Sequence, residues 1–187
     1  MNNNRTGKLR NGGLALTMVR ALLLALMAVV VSGMATAQTS TNEALKFKGG
    51  IGVITVTGVA ANGTVNLNTV RGVTPGAPWR IANLEAVIGF DGHIKVVGNG
   101  LLLASGNGIG TNAGQSVHAT LFCGAAATAT AHSSSLPGVA LEADGDFRID
   151  DFLSPAQPAN CDSPVLLIRN AGGVWFAAAI PNQPEKR

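Results

Sequence analysis

Beyond residue 45 the chain is patterned in short stretches in which apolar and polar residues alternate, separated by Gly, Pro, Asn-Gly or Asp-Gly. A period of two places alternate side chains on one face of a strand, so the pattern predicts β-structure throughout; no sustained 3.6-residue period follows. Ile51 to Val59 and Val65 to Asn68 read as two strands joined by a turn at Asn62-Gly63. That pair supplies the positive φ angles of a tight hairpin, and turn chemistry accounts for it better than the glycosylation sequon Asn62-Gly63-Thr64 does. Two prolines keep Val73 to Pro78 out of any strand interior and make it a turn delivering Trp79, an expected core or rim anchor.

Parity fixes two hairpins. Between Trp79 and Leu103 the bend lies at Asp91-Gly92; a two-residue loop would set Ile88 against Lys95. A three-residue loop, Phe90-Asp91-Gly92 with Gly92 left-handed in a G1 bulge, instead puts Leu84, Ala86 and Ile88 on one face with Ile94 and Val96. Glu85, Val87 and Lys95 take the other face. The same test on Val139 to Ile149 selects the loop Ala143-Asp144-Gly145 and aligns Val139 and Leu141 with Phe147 and Ile149. Val117, Ala119, Leu121 and Cys123 form the apolar side of a half-buried strand, with His118, Thr120 and Phe122 opposite. Residues 104–115 read as a flexible Gly-rich connection, and Ala125 to Ser135 as a loosely held edge or loop. Val165 to Ile168 and Val174 to Ile180 are apolar on both faces and read as an interior hairpin.

The longest apolar run, Ala21 to Val31, follows Arg5, Lys8, Arg10 and Arg20 and precedes the small residues Ala35-Thr36-Ala37. Its 11 residues fall short of the about 20 that cross a bilayer, so residues 1–37 read as a signal peptide cleaved after Ala37. Residues 38–44 form a lead-in, 45–181 one domain and 182–187 a tail. With no Arg-Arg pair and no cysteine near residue 37, the expected product is secreted or periplasmic, with no membrane anchor after cleavage. Removing four leader cations from 13 Lys+Arg leaves nine against 10 Asp+Glu, so the formal charge of +3 becomes −1. The basic balance belongs to the leader, and nucleic acid is not an expected partner.

Cys123 and Cys161 are the only cysteines, and export favours their joining in a disulfide across 38 residues. No catalytic residue, metal ligand set or cofactor is expected. His93, His118 and His132 lack ligand spacing, and the strand parity turns His118 away from Cys123. Asp144, Asp146, Asp150 and Asp151 lack the EF-hand order. The Gly106, Gly108, Gly110 series has no Lys-Ser/Thr after it, and Ser133 to Ser135 following His132 form no Gly-x-Ser-x-Gly elbow. With Trp79, Trp175 and six Phe but no Tyr, a sugar-stacking face is disfavoured.

The run Val70 to Gly76, the pair Pro78-Trp79, the Asp91-Gly92 hairpin, Gly110-Thr111-Asn112, Leu121-Phe122-Cys123 and Cys161 to Leu167 resemble a family of exported bacterial proteins, over most of residues 65–180. The Asp-Gly hairpin and Val117 to Phe122 are more faintly similar to CHRD-type β domains, whose His-x-His pattern is missing here, so no ligand residue carries over. Neither resemblance implies an activity. The expectation is an all-β, Ig-like antiparallel β-sandwich of about seven to nine strands, acting as a non-catalytic surface, matrix or binding module with a protein or surface partner. The alternatives are a small secreted hydrolase or metal-dependent enzyme built from loop residues such as His118, His132 and Asp150, and a subunit that donates an edge strand.

Overall fold

Strand formation follows the alternation directly in the computed structural model, which describes residues 44–59, 61–63 and 65–182. The expected signal peptide, lead-in residues 38–43 and tail residues 183–187 lie outside the described residues. The first strand, β1 (Leu45–Gly52), buries Phe47 and exposes Lys46 and Lys48 on either side of it. The expected strand Ile51 to Val59 is divided: its first residues finish β1, and its last form β2 (Thr57–Val59), which pairs with β3 (Val65–Leu67) across the Asn62-Gly63 turn. Trp79 begins the two-residue strand β4 (Trp79–Arg80); its ring is buried and stacks on Phe176 with centroids 4.3 Å apart.

β5 (Asn83–Ile88) and β6 (His93–Asn99) pair in the register that parity requires, Ile88 with Ile94 and Ala86 with Val96. The Gly89 N–H donates to the His93 carbonyl at 2.9 Å, which leaves Phe90-Asp91-Gly92 as the loop, and Gly92 has φ +85°. After β7 (Leu102–Leu103) come β8 (Ser116–Cys123), β9 (Thr130–Ser133), β10 (Val139–Ala140), β11 (Phe147–Phe152), β12 (Val165–Arg169) and β13 (Trp175–Pro181). No helix occurs among the described residues.

Nine strands form one antiparallel sheet in the order β10-β8-β12-β13-β1-β5-β6-β11, with β9 also paired to β8. The terminal strands β10 and β11 touch, so the sheet nearly closes into a barrel. Hydrogen bonding is thus continuous where an Ig-like sandwich has two separate sheets; the all-β antiparallel class is observed, the Ig-like division is not. Leu84, Ile88, Ile94, Val96, Leu121, Leu166, Ile168 and Ala177 are buried in the core. Gly98 lies in the same face: a Cβ there would stand 2.1 Å from the Phe147 ring, so the absent side chain is what admits that ring.

Three expectations are corrected. The Ala143-Asp144-Gly145 loop forms, closed by the Glu142 N–H on the Asp146 carbonyl, but its arms part, β10 pairing with β8 and β11 with β6. Gly145 explains the parting: its carbonyl accepts the Leu101 N–H, so the turn is claimed by another segment. β8 is buried on both faces rather than half-buried, with His118 and Thr120 as enclosed as Val117. Part of Ala125 to Ser135 is a strand, β9, because β8 has an edge to be covered.

The cover on that edge is divided. β10 pairs Val117 and Ser116, and β9 pairs Thr120 to Cys123. Between them buried Ser134 donates its N–H to the Ala119 carbonyl at 2.9 Å, while its Oγ accepts the Ala119 N–H at 3.0 Å. Ser134→Ala leaves that buried N–H without its acceptor and is expected to cost about 1–3 kcal/mol, read as a lowered urea midpoint with an unchanged slope.

Candidate functional site

The sequence-predicted chemistry is dispersed by the sheet. His132 sits opposite Leu121, while His118 sits opposite Arg169 at a position of the other parity, so the two imidazoles lie on different faces of the sheet around β8. His132 is held by the Pro155 carbonyl at 2.9 Å and the Thr130 hydroxyl at 3.1 Å. Asp150 lies on β11, bonded to His93 at 2.6 Å and 3.8 Å from the Lys95 ammonium. The residues of the alternative enzyme site therefore do not converge.

The carboxylate cluster is dispersed in the same way. Asp144 accepts the Asp146 N–H inside its turn, and Asp146 accepts the Asn99 amide at 2.7 Å and the Gly100 N–H at 2.9 Å. Asp151 accepts N–H groups of Ser135 and Phe152, both at 2.7 Å. The Ser135 bond first, and then the Phe152 bond, outweigh partial burial and hold its carboxyl below the ordinary value. Among the described residues no three His, Cys, Asp or Glu side chains form a group able to hold a metal.

The Gly-rich segment is pinned over its second half. The Gly110 N–H donates to the Leu103 carbonyl, the Leu103 N–H donates to the Thr111 carbonyl, and the Asn112 amide donates to the carbonyls of Leu141 and Glu142. These bonds serve its own turns and the approach to β10.

Cys123 and Cys161 lie at disulfide distance, with Cα atoms 4.8 Å apart. They join the end of β8 to the chain entering its neighbour β12, so the tether runs within one sheet instead of between two. The segment it closes carries β9, β10 and β11.

What the fold does bring together is charge on the outer face of β1, β5, β6 and β11. Cross-strand partners share a face, and the registers give two rows: Lys46, Val87, Lys95 and Asp150, then Lys48, Glu85, Val97 and Arg148. Lys46, Lys48, Lys95 and Arg148 are exposed, and Val87 is 45 % exposed between Lys46 and Lys95. A groove of about 280 Å³ runs over this face, bordered by Lys46, Lys48, Glu85, Val87, Lys95 and Val97. Among the described residues the ion pairs are His93–Asp150 and Lys95–Asp150, so Lys46, Lys48 and Arg148 stand outside both. The sequence assigned Glu85, Val87 and Lys95 to one face but read Leu45 to Lys48 only as the start of the domain. The alternation Leu45-Lys46-Phe47-Lys48 was the available signal.

A second polar group surrounds Arg169. Its guanidinium donates to the Gly173 carbonyl at 2.8 Å and to the Thr120 hydroxyl at 3.3 Å, and Thr120 also bonds Ser133 at 3.0 Å. His118 Nδ1 is buried with no hydrogen-bond partner. Burial, and then the Arg169 charge, hold the His118 imidazole below its ordinary value of 6.5. The unfolded chain therefore takes up this proton first, and the native state loses stability as pH falls below about 6.5. Urea midpoints measured at pH 8 and pH 5.5 are expected to fall less in His118→Leu than in the native sequence; equal falls would show that His118 does not carry the dependence.

Thiol titration checks the tether: the unreduced, denatured protein should show no reactive thiol, and two would exclude the bond. On the chain-entropy model a closed segment of this length stabilises by about 4 kcal/mol, so the paired change Cys123→Ser and Cys161→Ser should lower stability by that order.

Comparison with protein-family models, with curated proteins and with solved structures gives no match to this chain.

Proposed function

We propose that the mature chain is an exported, non-catalytic binding module that engages an anionic partner through the outer face of β1, β5, β6 and β11. The observation that carries the reading is the placement of Lys46, Lys48, Lys95 and Arg148 in two adjacent rows, against only Glu85 and Asp150, on a chain whose mature formal charge is −1. Cations concentrated on one face of a nearly neutral molecule make a local positive field that a net charge does not reveal. The leader pattern of residues 1–37 supports export, and the cysteine pair at bonding distance is consistent with an oxidising compartment. The dispersal of His118, His132 and Asp150 supports binding over hydrolysis.

The processed protein should be retained on immobilised heparin, a polyanion, at low salt and near-neutral pH despite its negative formal charge. Lys46→Gln with Lys48→Gln should elute at clearly lower salt with an unchanged melting temperature. Equal elution of the two proteins would remove this face from the reading.

A further inference from the structure

We infer that the partner of this basic face is the surface of an anionic lipid bilayer; the inference rests on the binding-face reading above and names its partner. Three features of the face select a surface of many phosphates over a single bound anion. The first is layout. Two rows crossing four strands span about 14 Å at the usual strand spacing, and they carry four exposed cations against two carboxylates. The second is chemistry. Three of the four cations are lysines, compact charges on long stems, and of those three only Lys95 meets a carboxylate, at 3.8 Å. Such heads are free to follow mobile phosphates, whereas a site for one small anion fixes its donors.

The third feature is apolar. Val87 is 45 % exposed among the lysines, and Phe152 is 59 % exposed at the end of the same face, where its ring stacks on His93. Ile180, 43 % exposed, lies beside Gly49 at the β1 margin. A soluble polyanion makes no use of these side chains, but the boundary between headgroups and acyl chains does: it accepts apolar side chains beneath a ring of cations. A glycan partner is disfavoured because the aromatic residue that borders the groove, Phe47, is buried in the core and offers no ring face for a sugar to stack on. Surface association of this kind needs no spanning segment.

The test is flotation of the processed protein with mixed phosphatidylglycerol and phosphatidylcholine vesicles, with phosphatidylcholine vesicles alone and heparin retention as parallel arms. The protein should float with the mixed vesicles, stay in solution with phosphatidylcholine alone, and be released as salt rises. Lys46→Gln with Lys48→Gln should weaken partition about 25-fold, from about fivefold per neutralised lysine near a charged surface. Phe152→Ser should weaken vesicle binding while leaving heparin elution in place, and Val87→Ser gives the same readout without disturbing the His93 stack. Heparin retention without vesicle binding overturns the lipid inference and leaves the binding face standing. Binding to neither overturns both. Vesicle binding indifferent to the two lysines overturns the inference as well.

Discussion

Closure of the sheet is the constraint on which the other features depend. An open sheet of this size would present two rows of unpaired N–H and C=O groups, each a template for another chain. Here β8 is covered along one edge by β12, and along the other by β10, Ser134 and β9 in succession. The far edge of β11 is met by a bridge between Ser133 and Ser154, and the Asp151 carboxylate takes the neighbouring Ser135 N–H. Short strands and single side chains thus do the work of one long strand. The segment between Cys123 and Cys161 holds all three strands of this closure, so the tether fixes the ends of the part of the chain with the most partners to find.

The basic face is a consequence of how the inner face packs. Leu84, Ala86 and Ile88 must meet Ile94 and Val96 inside, and a slip of one residue would exchange the two faces. Once that register is set, Glu85, Val87 and Lys95 have no place but outside. β1 then adds Lys46 and Lys48 because Phe47 between them is drawn into the core opposite Ala86. The alternation ends at Gly49, where β1 shifts register against β13 in a left-handed conformation that a side chain rarely adopts. Core packing and surface charge are two readings of one alternation, and strand pairing fixes the backbone positions from which the lysines project.

What the sequence made legible was local. The Phe90-Asp91-Gly92 loop and its register follow from parity within a dozen residues, and so does the Val165/Val174 hairpin, apolar on both faces because both its strands lie inside the sheet. The illegible part was pairing between distant strands. Nothing near Ala143 to Gly145 shows that Leu101 will claim the turn and send β10 and β11 to opposite ends of the sheet. Nor does the alternation of β8 show that its polar side will be enclosed; His118 and Thr120 are polar by composition and buried by Arg169, Ser133 and their surroundings. The candidate face was half legible for the same reason: Lys95 and Val87 belong to one hairpin, but Lys46 and Arg148 reach them only through long-range pairing.

The Gly-rich segment after β7 differs in physical character from the proposed binding face. Glycines and polar side chains at residues 104–115 invite a ligand loop, since exposed connections held by a rigid scaffold commonly bind. A loop can do so only with donors and acceptors left over. In this one the Thr111 hydroxyl closes on Gly108, the Asn112 amide ties the segment to Leu141 and Glu142, and Gln115 accepts from the Asn170 amide. Thr111, Asn112 and Gln115 are thereby committed to holding the approach to β8 and β10. The lysines across the sheet have the opposite character: the backbone beneath them is fixed by strand pairing, and their charges are directed to solvent. A rigid base under uncommitted charge is the physical requirement for recognition by a surface, and in the described residues it is met on β1, β5, β6 and β11.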